Sequence, residues 1–255
     1  MKNSLKTELY LDRGLQGVAM HLSPEPNQTD TPERVNLLTP LISQIIDSKT
    51  PECQCNIPTY NLAIGATHML NHFAILSAID CGELPNDEEV VAYSGMIGMK
   101  TLLFGWQLCL ENLGPEDTFE IFDELFPLYE GTTKYEKQVQ DRIIGMRAEL
   151  RALASLKRSL GEHDSLRVPY FDVPGDIMFS YDGVIYLVEV KATGGNTQMY
   201  SLHRNKEMRR FLPRSQKENL LRYCKAKRVH PVLFRTRSCG DLENLHMQFR
   251  NLLYN

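Results

Sequence analysis

The sequence predicts a mixed α/β C-terminal half behind an all-helical N-terminal half. From about Thr31 to residue 132 long apolar segments recur at helical spacing, and no strand pattern interrupts them. From about Lys134 the pattern changes, and after one more long helix short alternating stretches take over. Among these, Val173–Gly195 (VPGDIMFSYDGVIYLVEVKATGG) carries two strand-like runs on either side of Asp182-Gly183. Asp-Gly between alternating apolar residues is among the strongest short hairpin signals.

The elements follow in order. The first thirty-odd residues read as loosely structured, with a turn or linker at Ser23–Asn27. Thr31-Pro32-Glu33 resembles a helix start, and Leu37, Leu38, Leu41, Ile42, Ile45 and Ile46 give it an apolar stripe. Thr50–Pro58 is a break. Tyr60–Ile79 reads as a strongly apolar helix, Asn86–Leu113 as another closed by Gly114-Pro115, and Glu116–Tyr129 as a shorter amphipathic one. Gly131-Thr132-Thr133 is a hinge candidate, which sets domains at 1–132 and 133–255. Tyr135–Leu160 follows as a long helix with a core stripe at Met146, Leu150, Leu153, Leu156 and Leu160. Leu166–Phe171 reads as a strand before the hairpin. Ser201–Leu212 and Ser215–Ala226 read as helices parted by Pro213, Val229–Arg235 as a strand and Leu242–Leu253 as a last helix. This is a mixed sheet with helices on both faces.

The hairpin register carries the chemistry. In a two-residue hairpin Tyr181 faces Val184, and counting outward puts Asp176 opposite Glu189. Directly opposed residues have Cβ atoms about 4.5–5.5 Å apart, and like charges there are destabilising. Two carboxylates so placed need a proton or a cation between them. Lys191, two residues past Glu189, projects from the same face. Met178, Ile185 and Leu187 share that face; Ile177, Phe179, Tyr181, Val184, Tyr186, Val188 and Val190 fill the other. A hairpin apolar on both faces is covered on both, and charges in such a place are expensive unless paired or metal-bound. An exposed hairpin with solvated charges fits this pattern poorly. A divalent-cation site fits it: Mg²⁺ takes oxygen ligands, often one or two carboxylates plus water and phosphate.

Asp176, a 12-residue gap and then Glu189-Val190-Lys191 resemble the PD-(D/E)xK nuclease superfamily, with Pro174-Gly175-Asp176 standing where the signature has adjacent Pro and Asp. The pattern is most similar to Holliday-junction resolvases and to Mrr-like and VRR-NUC nucleases, and it covers about residues 140–237. The resemblance implies a restriction-endonuclease-like fold. It implies Asp176 and Glu189 as ligands of Mg²⁺ or Mn²⁺, with the Val190 carbonyl and an upstream helical glutamate, matched by Glu149. It also implies Lys191 as the residue that positions water and steadies the scissile phosphate, and Gln216 as a residue that orders the site. Glu149 sits at the edge of its helix's apolar stripe, aimed toward the core as a candidate third metal ligand; the alternative is a snorkelling or salt-bridged glutamate near Arg142 or Arg151.

Charge supports a polyanionic partner. Residues 1–140 hold eight Lys and Arg against twenty Asp and Glu, whereas residues 141–255 hold twenty against twelve. The basic half carries the carboxylate–lysine cluster, which suits nucleic acid, DNA before RNA on the family's base rate. Arg204, Lys206, Arg209, Arg210, Arg214 and Lys217 crowd together just after the cluster. They are candidates for phosphate contacts, though many such charges simply face water. No base-reading motif accompanies them. The acidic half suits a protein partner or a homodimer contact.

Cys53-x-Cys55 followed by His68-x-x-x-His72 has finger-like spacing, and two histidines at i, i+4 share a helix face. CxC is tighter than the usual CxxC, and the helix is very apolar, so hydrogen-bonded core histidines are favoured over Zn²⁺ ligands. Cys81, Cys109, Cys224 and Cys239 read as small buried residues. Six irregularly spaced cysteines do not resemble a disulfide framework. With no signal-peptide pattern at Met1, an intracellular protein is expected. The run Val90–Leu110 contains Lys100 and Gln107 and reads as a buried helix rather than a membrane span, so no membrane partner is expected. No Walker loop, GxGxxG or GxSxG elbow occurs. The expected function is metal-dependent phosphodiester hydrolysis. The alternative is a catalytically silent nuclease fold acting as a nucleic-acid-binding adaptor, or as a subunit of a repair, transposition or defence complex.

Overall fold

The computed structural model describes residues 39–40, 42–46, 56–127, 132–194, 197–237, 242 and 244–254. The chain divides into two compact units, residues 1–143 and 144–255. The first is helical; the second holds a mixed five-stranded sheet with flanking helices.

Residues 39–40 and 42–46 are helical, and Ile42 and Ile46 are buried. Three helices follow: α1 (Asn56–Asp80), α2 (Glu88–Asn112) and α3 (Pro115–Leu125). The Asp87 side chain caps α2 by accepting from the amides of Glu89 and Val90. Gly114, at φ +86°, leads into Pro115 at the first position of α3. α1 and α2 pack closely because glycines remove side chains from the contact. A Cβ on Gly65 would lie 2.5 Å from the Leu102 Cα, and one on Gly98 would lie 3.2 Å from the Met69 Cα. Trp106 and Phe122 (centroids 5.4 Å apart) and Phe122 and Phe126 (5.7 Å) complete an aromatic core. Among the described residues one helix, over Pro58–Asp80, is long and apolar enough to cross a membrane, and most of its apolar window is buried inside the structure.

α4 (Lys134–Ser159) runs from the first unit into the second. Its N-terminus is a capping box: Thr133 Oγ1 accepts from the Glu136 amide, and the Glu136 carboxylate accepts from the Thr132 and Thr133 amides. Those bonds hold the Glu136 carboxyl down to about 2. The sheet has strands β1 (Leu166–Arg167), β2 (Ile177–Tyr181), β3 (Val184–Ala192), β4 (Gln198–Ser201) and β5 (His230–Thr236), in the order β1-β2-β3-β5-β4. Only β3 and β5 are parallel. Helix α5 (Arg214–Lys227) places Leu220 and Cys224 on one face, in a core with Met178, Leu187 and Leu233. Helix α6 (His246–Tyr254) sets Phe249 against Phe179 and Tyr181 on the other. Fully burying each such side chain contributes about 1.5–3 kcal/mol.

The hairpin has the expected register, Tyr181 opposite Val184 and Ile177 opposite Val188. Asp182 (φ 51°) and Gly183 (φ 75°) are both left-handed, as a type I′ turn requires. Three expectations about the sheet and the segment after it are corrected. Ser201–Leu212 is not a helix: Gln198–Ser201 is the edge strand β4, and only Lys206–Phe211 coils, as a 3₁₀ helix capped by Asn205. The strand expected over 166–171 is two residues long, because beyond Arg167 only the start of β2 lies alongside. The Glu189 face of the hairpin is covered only in part, since Ile185 is 48% exposed near the tip. Cys81 is also exposed rather than buried, at the end of α1, while Cys239 lies outside the described residues.

Gly65→Ala gains about 1 kcal/mol of helix propensity but drives a methyl into the Leu102 backbone. Overpacking of this kind typically costs about 1–3 kcal/mol, so thermal unfolding of the variant should begin at a lower temperature than wild type. A rise in midpoint would mean that the helices are not in backbone contact there.

Candidate active site

The site begins with a backbone kink. Gly175 sits at φ +103°, and a Cβ there would be 3.1 Å from the Val188 carbonyl oxygen. Glycine is needed both for the dihedral and for the approach. The next residue leaves the ladder: the Asp176 amide donates to the Val188 carbonyl (2.8 Å) rather than meeting Glu189 in register. The Asp176 side chain then accepts from the Val190 amide at 2.7 Å. So the first carboxylate caps the free edge of β3 where β2 has ended. A strand residue's N–H and C=O emerge on the same side, which puts the Val190 carbonyl on the Asp176 edge too.

Glu189 lies on the central strand and is 2% exposed. Its Oε1 accepts from Lys191 Nζ at 2.8 Å and from Gln216 Nε2, while Gln216 Oε1 stands 3.4 Å from the same ammonium. Gln216 therefore ties the acid and the base together from the first turn of α5. Glu189 Oε2 is buried without a hydrogen-bond partner. Burial, and then the Asp176 charge, push the Glu189 carboxyl up to about 7 against the opposing pull of Lys191 and Gln216. Burial pulls the Lys191 ammonium down, but the charges of Glu189, Asp176 and Glu149 outweigh it and raise the group above its usual value. Glu149, on α4 and half-buried, is thus close enough for its charge to act on Lys191.

Asp176, Glu189, Lys191, Gln216 and Glu149 are therefore brought together. Among the described residues no group of three or more His, Cys, Asp or Glu side chains stands ready to hold a metal ion. The pair Asp176 and Glu189 is what a hard cation that keeps several waters needs. The orphaned Oε2 and the raised Glu189 carboxyl fit such a cation, since both are relieved by positive charge.

The basic candidates divide. Arg204 donates to the Leu252 carbonyl (3.1 Å), Arg209 to the Leu202 carbonyl (2.7 Å), and Arg214 pairs with Glu218 (2.9 Å). Those contacts hold the local chain together. Arg210 lies over the Phe211 ring, 5.2 Å from its centroid. Lys206 is exposed and Lys217 half-buried. Arg235 escaped the sequence reading. It is paired with Lys191 across the parallel ladder, donates to Thr193 Oγ1 and stacks on Phe211 at 4.4 Å. Nothing in the sequence fixes the β3–β5 register, so no signal pointed to it.

In the helical unit, Cys53 and Cys55 lie outside the described residues. His68 is half-buried. His72 is fully buried, its Nδ1 bonded to Ser94 Oγ at 2.9 Å. Burial, then the Arg142 charge, lower His72 to about 4. A guanidinium at that range opposes a further cation, and a neutral core imidazole describes His72 well.

No family model, curated protein or solved structure matches this chain.

Between about pH 4.5 and 7 the folded chain holds a proton on Glu189 that the unfolded chain has released. Without metal, this contribution to stability is greatest below about 4.5 and is lost as pH rises through 7. In EDTA, Glu189→Gln should flatten that decline, with a midpoint at pH 8 roughly 5 °C or more above wild type and near parity at pH 5. Equal pH dependence in the two proteins would show that Glu189 titrates normally.

Proposed function

We propose that residues 144–255 form a restriction-endonuclease-like domain that hydrolyses phosphodiester bonds in nucleic acid, with Mg²⁺ or Mn²⁺ as cofactor and DNA as the expected substrate. The observation that carries this reading is a buried glutamate, with one oxygen unpartnered, beside a second carboxylate and a lysine. Asp176 and Glu189 would hold the cation, with the Val190 carbonyl and, through its charge, Glu149 assisting. The bound cation supplies a Lewis acid and lowers the pKa of a coordinated water. Lys191 would orient the attacking water as a hydrogen-bond donor and offset charge on the phosphate. Gln216 keeps Lys191 and Glu189 at their separation. Hydrolysis breaks the P–O3′ bond and leaves a 5′-phosphate, as the family resemblance implies.

A second reading keeps the nucleic-acid surface and drops the chemistry. It is favoured by the Lys191 and Gln216 bonds that already engage Glu189 Oε1. On either reading, the acidic helical unit would meet a protein partner or a second copy. The exposed Tyr60, Val90, Tyr93 and Phe104 support a contact role for it.

Plasmid, linear duplex, single strands and a four-way junction, each with Mg²⁺, Mn²⁺ or EDTA, separate the two. Metal-dependent cutting should fall by roughly 100-fold or more in Asp176→Asn, Glu189→Gln and Lys191→Ala. Binding without cutting, equal in EDTA and Mg²⁺, would establish the second reading instead. Gln216→Ala acts only by positioning. It should lower the rate by about 10–100-fold and raise the Mn²⁺ concentration needed for half-maximal activity; wild-type metal dependence would remove Gln216 from the site.

A further inference from the structure

A cleft of about 400 Å³ opens at the far end of the sheet from Lys191. His203, Arg209, Lys225, Arg228 and His230 line it, and among the described residues no carboxylate does. The five come from four places: the turn after β4, the 3₁₀ helix, the C-terminal end of α5 and the start of β5. The C-terminal carbonyls of a helix attract cations, so Lys225 and Arg228 alone would read as helix-end charges. His203, Arg209 and His230 reach the cleft from outside the helix end, the two histidine rings meeting edge-on at 6.1 Å and Arg209 tied to the Leu202 carbonyl.

Two further observations point to a ligand. Arg228 is the residue that ends α5, at φ 56°, ψ 42°, the left-handed position that glycine usually fills. Arginine there is strained, because its Cβ crowds the following carbonyl oxygen, and strain of this kind gathers at functional sites. The Arg209 guanidinium is anchored through Nε on the Leu202 carbonyl, so it is preset rather than free to swing. Burial, and then the charges of His230 and Arg209, lower the His203 pKa, a repulsion that a bound anion would relieve.

We propose that this cleft is a second phosphate subsite, filled by a backbone phosphate of a nucleic-acid strand that also reaches the carboxylate cluster. The polyanion's identity rests on the nuclease reading; the anion site itself does not. A trail of cations joins the two places. Arg235 is paired with Lys191 and stacks on Phe211, Arg210 lies over the same ring, and Arg209 belongs to the same 3₁₀ helix. A free phosphorylated molecule would have no use for that trail. His230 is paired with Tyr186, and Lys191 lies five residues farther along β3. At about 3.3 Å per strand residue the separation is roughly 16 Å, or about five nucleotides along one strand of B-form duplex at 3.4 Å each.

The test uses the full chain in EDTA, where nothing is cut. Inorganic phosphate is titrated while the His203 and His230 ring resonances are followed by NMR, and binding of a 30-mer oligonucleotide is measured over a range of salt. Phosphate should shift both rings in wild type, roughly tenfold more weakly in Arg228→Gly, and the oligonucleotide should displace it. Lys225→Gln/Arg228→Gly should reduce the slope of log K against log salt by about 2. The thermal midpoint of Arg228→Gly should hold or rise, which rules out unfolding as the cause. No ring shift with phosphate would overturn the site. An affinity for inorganic phosphate that saturating oligonucleotide leaves unchanged, or an unchanged salt slope, would overturn the backbone assignment. Cleavage assays do not enter, so loss of the nuclease reading and loss of this one are told apart.

Discussion

The second unit depends on one electrostatic constraint: Glu189 is buried on the central strand with Asp176 beside it. A lone ionised carboxylate in such a place is expensive, and a second one adds repulsion. The chain answers with neighbours that each correct part of the cost. Lys191 and Gln216 engage one oxygen of Glu189. The Val190 amide takes the Asp176 charge. The remaining oxygen of Glu189 has no partner, and burial together with the Asp176 charge pushes its carboxyl up to about 7. Structural ion pairs normally end up fully satisfied; a buried carboxylate with a strongly shifted pKa beside a second one is of the kind found at reactive centres.

The backbone around this cluster is built to hold it still. The type I′ turn sets the register, α5 covers the Glu189 face with Leu220 and Cys224, and Leu233 of β5 stands beside Glu189 on that face. The left-handed Gly175 turns the chain so that Asp176 reaches the edge of β3 instead of standing in the ladder. These are main-chain devices, which lose less to motion than long side chains do. The helical unit uses a different device, glycines that bring α1 and α2 into backbone contact. There a buried polar group, His72, stays neutral because burial and Arg142 both oppose its protonation.

Much of the hairpin was legible because strand periodicity is two and a two-residue turn leaves no freedom in register. Those facts alone placed Glu189 and Lys191 on one face and Asp176 near them. The kink at Asp176 was not legible, since a hydrogen bond shifted by one residue leaves no mark in the alternation. β4 was missed because Gln198–Ser201 precedes a basic stretch that has helical composition. The 3₁₀ helix is capped by Asn205, a signal that was present and went unused. Arg235 and the cleft at His230 depend on a parallel pairing made through a long crossover, and no local pattern encodes that. Glu149 and Gln216 entered through family resemblance and the edge of an apolar stripe; their closeness to Lys191 is a property of the folded chain.

The central claim is that Asp176 and Glu189 share a divalent cation, and crystals soaked in Mn²⁺ address it most directly through anomalous diffraction. The account predicts one strong peak within coordinating distance of both carboxylates and the Val190 carbonyl, absent from crystals of Glu189→Gln. Crystals that take up Mn²⁺ only elsewhere, with Glu189 still bonded to Lys191 and Gln216 and no peak beside it, would contradict the account.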